Sequence, residues 1–158
     1  MLTDAEIDAL TGQELDSAVA EFVMGWTWVQ HIAEIAERHI ALAKKYDTTY
    51  DNPRFLVPPP PNTNSERDRW YTLFFIPAAP DAPYHGPKGY DDVPDYSTDI
   101  AAAWRVVEKF DHYTITKYGD LYIQVEVEQL LNAVSRADTV PLAICRAALK
   151  AVNATAAR

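Results

Sequence analysis

Apolar residues recur at spacings of three and four in several stretches of the chain and alternate strictly in one other. Leu15, Val19, Phe22 and Val23 line one face of a first predicted helix, with Gly25 placed to close it as a left-handed cap. Two Thr-x-x-Glu boxes, Thr3 with Glu6 and Thr11 with Glu14, mark helix starts ahead of it, because each Thr and Glu side chain satisfies an otherwise orphan backbone donor. Trp28, Ile32, Ile35, His39, Leu42 and Tyr46 predict a second helix over 28–46, with Glu34 and Arg38 paired at i,i+4 on its outside. Further on, Ser97 or Thr98 is the expected cap of a helix whose Ile100, Ala103, Trp104, Val107 and Phe110 form a stripe, with Asp99 in its first turn. That stripe predicts Trp104 in the core, with Ile100 and Val107 on the same side. Residues 112–118 and 121–127 alternate across Gly119-Asp120 and predict a β-hairpin. Residues 128–136 fit a strand, a loop or a short helix. A last helix is capped by Thr139, carries Pro141 in its first turn, and buries Leu142, Cys145, Ala148, Leu149 and Val152.

Proline changes the picture in the middle of the chain. Ten of the eleven prolines lie between Pro53 and Pro94, so this region is neither regular helix nor central sheet throughout. Within it, 54–57 and 70–76 read as strands, and 77–95 reads as a long loop of the kind that either binds something or carries no fixed structure. The element order predicts an α+β protein in which an antiparallel sheet is sandwiched between helices in α/β/α layers. The 158 residues are expected to form a single domain, 1–158, with a Pro-rich loop region around 58–95.

Charge and chemistry narrow the function mainly by exclusion. Fourteen basic against 23 acidic side chains give a formal net charge of −9, which argues against duplex nucleic acid as a partner but leaves room for a small anion in a local basic pocket. No run of about 18 apolar residues suggests a membrane span, and Met1-Leu2-Thr3-Asp4 does not read as a signal peptide. The single cysteine, Cys145, lies on an apolar helix face and reads as a small core hydrophobe, so neither a disulfide nor a catalytic nucleophile is expected. His31 and His39 lack the spacing of a metal pair, no phosphate-loop or nucleophile-elbow motif is present, and no metal or cofactor is expected. Asp91, Asp92 and Asp95 read as a solvating acidic loop, with a metal-assisted phosphodiesterase as the last-ranked use for them. Tyr84, Lys88 and Tyr90, in a loop with two glycines, combine aromatic faces, a cation and close backbone approach, the material of a nucleotide site. Arg136, just ahead of the helix near Thr139, is the fourth candidate, able to bring charge to an anion-binding helix end.

The segments 96–104 and 137–149 resemble the signature segments of the phage ABA sandwich domain family, and Met24-Gly25-Trp26 and Leu56-Val57-Pro58-Pro59 are similar to its remaining marks. The chain departs from that pattern in the length of the 28–46 helix and in the 77–95 loop. The resemblance implies an antiparallel sheet between helical layers and a phage protein acting in the cytoplasm of the infected bacterium. A second resemblance, to the Thoeris anti-defence sponge proteins, implies a homo-oligomer that sequesters a cyclic nucleotide immune signal without cleaving it, at sites between subunits. The expected activity is therefore binding of a cyclic ADP-ribose isomer or a cyclic oligonucleotide, with no enzymatic turnover. The rival expectation is an acidic interaction module that inhibits a host protein by charge mimicry.

Overall fold

The structure, a computed structural model, describes residues 2–46, 52, 54–59, 75–78, 93–128 and 132–156. The chain divides into two compact units, Met1–Gly25 with Val93–Arg158, and Trp26–Asp92.

In the first unit, helix α1 (Asp4–Ala9) starts at the Thr3 box as expected. Thr3 donates its amide to Glu6 Oε2 at 2.6 Å, and the Glu6 amide donates back to Thr3 Oγ1 at 3.3 Å. Helix α2 (Gly12–Ala18) starts at Thr11, whose side chain makes no capping hydrogen bond. It then widens into a π-helical turn over Val19–Val23. That wider turn shifts the helical phase, so Leu15 and Val19 are fully buried while Phe22, expected on the same face, is half exposed. Gly25 ends the segment at φ +74°, in the left-handed region anticipated for it.

Helix α4 (Ile100–Val107) is capped by Asp99, which accepts the Ala101 amide at 2.8 Å; neither Ser97 nor Thr98 fills that role. The reason lies one turn earlier. The Ser97 amide is directed into the protein, where it donates to the buried Asp16 carboxylate at 2.6 Å, so residues 96–98 form a turn ahead of the helix. The face of α4 that is buried comprises Ala102, Ala103, Val106 and Val107. Trp104 and Ile100 therefore lie at the surface, against the expectation of a core tryptophan.

Strands β4 (His112–Tyr118) and β5 (Tyr122–Glu128) form a hairpin where one was predicted, but its turn spans 119–121 in place of Gly119-Asp120, which shifts the register by one residue. Residues 132–136 of the open stretch belong to a strand, β6 (Asn132–Ala137). Their antiparallel order is β4-β5-β6. One face buries Val125, Val127, Ala133, Ser135 and Ala137. Helix α5 (Val140–Ala156) follows Thr139 and packs on β5 and β6, while α1, α2, the π-turn and α4 pack against other sides of the same helix. Ala143, Ala147, Ala148 and Ala151 are all buried, and their small side chains let neighbours approach α5 from several directions.

In the second unit, β1 (Thr27–His31) pairs antiparallel with β2 (Phe55–Val57) on one side and β3 (Phe75–Pro77) on the other. The predicted 28–46 helix thus begins five residues late, as α3 (Ala33–Lys45), because pairing on both edges makes 27–31 a central strand. Along α3 the buried positions are Ala36 and Ala43, whereas Leu42 and Tyr46 are exposed. The Glu34–Arg38 pair forms at 2.7 Å on its exposed side. Of the predicted 70–76 strand, 70–74 lie outside the described residues. The α+β reading holds, with the strands shared between two three-stranded antiparallel sheets.

Candidate functional site

The face of the β4-β5-β6 sheet opposite its buried side carries a polar and aromatic array. The hairpin turn builds one end of it. Gly119 sits at φ +57°, Leu121 donates its amide to the Tyr118 carbonyl at 3.1 Å, and the turn sets Tyr118 directly across from Tyr122. Cross-strand neighbours on one face are close enough for rings to meet. The two tyrosines stack with centroids 4.9 Å apart and planes at 30°.

Strand β6 adds the charge. Its register places Arg136 opposite Gln124. The Arg136 Nε–H donates to Gln124 Oε1 at 2.9 Å, and the guanidinium carbon lies 5.1 Å from the centroid of the Tyr122 ring. Gln124 is buried and uses both ends of its amide, since its Nε2 donates to Glu126 Oε1 at 2.7 Å. A glutamine held at both ends fixes the guanidinium against the tyrosine and leaves the terminal nitrogens of Arg136 outside that hydrogen bond. At the turn end, a cavity of about 330 Å3 is lined by Lys117, Gly119, Asp120, Leu121, Tyr122, Ile123 and Asp138. Two stacked rings and a delocalised cation on one of them offer stacking to a planar group and charge to an anion. Glu126 sits at the opposite end of the hydrogen-bonded row, and Asp120 and Asp138 line the turn-end cavity beside Lys117.

The other polar groups of interest serve structure. Burial pushes the Asp16 carboxyl pKa up, opposed by its contacts with Ser97. Burial likewise raises the Cys145 thiol far above the range in which a thiolate forms, so this sulfur is a core atom and not a nucleophile. His31 and His39 meet edge to face, with centroids 4.8 Å apart. Among the described residues, no group of three or more His, Cys, Asp or Glu side chains is arranged to hold a metal ion.

Residues 17–149 match the phage ABA sandwich domain. The chain belongs to that family. Neither the curated proteins nor the solved structures contain a match to it. Bacteriophage is therefore the biological setting. No helix among the described residues is long and apolar enough to cross a membrane.

Of the four residues singled out from the sequence of this family member, Arg136 belongs to the array, held by Gln124 and Tyr122 on the sheet face. Tyr84, Lys88 and Tyr90 lie outside the described residues, as do Asp91 and Asp92. Tyr118, Tyr122 and Gln124 were not anticipated: a two-residue Gly119-Asp120 turn sets Tyr118 against Leu121 and on the other face from Tyr122 and Gln124, whereas the turn that forms spans 119–121 and pairs Tyr118 with Tyr122. Also missing was β6, whose register decides that Arg136 joins them.

Proposed function

We propose that this phage ABA sandwich protein binds and sequesters a small anionic nucleotide signal, a cyclic ADP-ribose isomer or a cyclic oligonucleotide, without cleaving it. In doing so it counteracts antiphage defence in the cytoplasm of the infected host. The observation that carries this reading is the Tyr118–Tyr122 stack with the Arg136 guanidinium fixed on it by Gln124. A base or nicotinamide-like ring stacks on an aromatic face whatever its edge pattern, and phosphate takes charge-assisted hydrogen bonds from arginine. Sequestration needs affinity and no nucleophile, and the buried Cys145 is not available as one. Tyr84, Lys88 and Tyr90 are proposed as further ligand-binding residues on the strength of their sequence alone. The acidic-inhibitor alternative draws its support from the net charge of −9.

The deciding experiment incubates the protein with a panel of cyclic dinucleotides, cyclic trinucleotides and cyclic ADP-ribose isomers, then recovers small molecules after heat denaturation for mass spectrometry. One panel member should raise the melting temperature and return chemically unchanged. No thermal shift across the panel refutes the reading, and a cleaved product replaces it with an enzyme. A stable complex with a host protein in place of any nucleotide favours the inhibitor.

A further inference from the structure

We propose that β4 is a self-pairing edge: two copies of the chain join β4 to β4 antiparallel, about a two-fold axis through Ile115, and extend the three-stranded sheet to six strands. The strand occupies an outer position in the order β4-β5-β6, and among the described residues nothing pairs with its outer side. Its ladder with β5 is regular from His112↔Glu128 to Tyr118↔Tyr122. Alternate residues of an antiparallel strand turn their amide and carbonyl groups away from the existing partner, so this edge offers a row of donors and acceptors. Sheets usually blunt such an edge with proline, a bulge or several charges; β4 has no proline, keeps an unbroken register and carries a single lysine.

The sequence of the strand identifies its partner. Pairing centred on Ile115 sets Ile115 against itself, Thr114 against Thr116, His112 against Tyr118, and Tyr113 against Lys117 of the second copy. Each pairing is favourable on a sheet face, and the one charge that would protect the edge meets an aromatic ring. The surface beside the edge points the same way. Tyr113 is 43% exposed, and next to it Trp104 and Ile100 on α4 are 41% and 44% exposed. The rings of Trp104 and Tyr113 lie 6.1 Å apart. This is the part of the α4 stripe whose spacing called for burial, and a second copy laid along β4 covers its Tyr113 end. The inference does not rest on the ligand reading, because the outer edge of β4 and the Tyr113 side carry it; Tyr118 is the residue it shares with the aromatic array.

Sedimentation velocity on the full chain at micromolar concentrations should show a dimer. Tyr113→Lys sets an ammonium against Lys117 at both symmetric contacts and should weaken dimerisation about tenfold or more. Adding Lys117→Glu to that variant should restore the dimer, since opposite charges then meet. Ile115→Cys should give a disulfide-linked dimer under mild oxidation, without competition from the buried Cys145. A chain that stays monomeric up to about 100 μM overturns the proposal, as does an oligomer indifferent to Tyr113→Lys. Should Tyr113→Lys fail to fold, the cross-link decides: its formation supports the proposal and its absence refutes it.

Discussion

Asparagine and alanine at position 16 separate two things the buried aspartate does. Its Oδ1 accepts the Ser97 amide at 2.6 Å, and that bond holds the turn over 96–98 in front of α4. Both residues are almost fully buried, Asp16 at 5% exposure and Ser97 at 4%, so water cannot replace the acceptor without local opening. Asp16→Ala leaves an amide donor stranded, which costs about 1–3 kcal/mol. A loss of roughly 2 kcal/mol lowers Tm by about 4–8 °C in a chain of this size. Asp16→Asn keeps an oxygen in place and should retain most of that stability.

The pH dependence supplies an independent check. Burial raises the folded-state pKa of Asp16 above the ordinary 3.8. Between the unfolded and folded values the native state holds more protons than the unfolded state, so the aspartate's contribution falls as pH rises through that window. The stability of the natural protein relative to Asp16→Asn should therefore be greatest below pH 3.8 and decline toward neutrality. Urea unfolding followed by circular dichroism from pH 3 to 7 reads both effects. Equal stability of the alanine and asparagine variants, or a natural protein that gains on Asp16→Asn as pH rises, would refute the reasoning.

Four further outcomes are expected. Arg136→Ala should weaken nucleotide binding about ten- to a hundredfold by calorimetry, because one charge-assisted contact is worth ~1.5–3 kcal/mol, and should also lower Tm by a few degrees, because it strands Oε1 of the buried Gln124; Lys88→Ala tests the Pro-rich loop in the same assay. Gly119→Ala, at φ +57°, should cost about 1 kcal/mol in chemical denaturation, since a Cβ disfavours the left-handed region. Leu15→Ala, at a fully buried position, should lose about 2–5 kcal/mol, enough to approach the stability limit of an ordinary domain. Cys145 should resist thiol reagents in the native protein at pH 8 and react at once in denaturant, because burial both shields the sulfur and disfavours its thiolate.

Short-range chemistry made much of this protein legible before its structure. The Thr3–Glu6 box, the left-handed Gly25, the hairpin across Gly119 and the start of α5 after Thr139 are each decided within a few residues, by hydrogen bonds and backbone preferences that the local sequence contains. The α+β class follows from that order of elements. Tertiary structure decided the rest. Residues 27–31 have a helix-compatible spacing yet form a strand because 55–57 and 75–77 pair with both of its edges. Asp99 caps α4 because the Ser97 amide is taken by Asp16, 81 positions earlier in the chain. Trp104 faces outward because the helix turns its alanine and valine side toward the interior. Arg136 became part of an aromatic array only through the register of β6, which brings it to Gln124 and Tyr122. Periodicity tells which residues can share a face; which face is covered, and what an arginine rests on, depends on segments distant in sequence whose pairing no local pattern encodes.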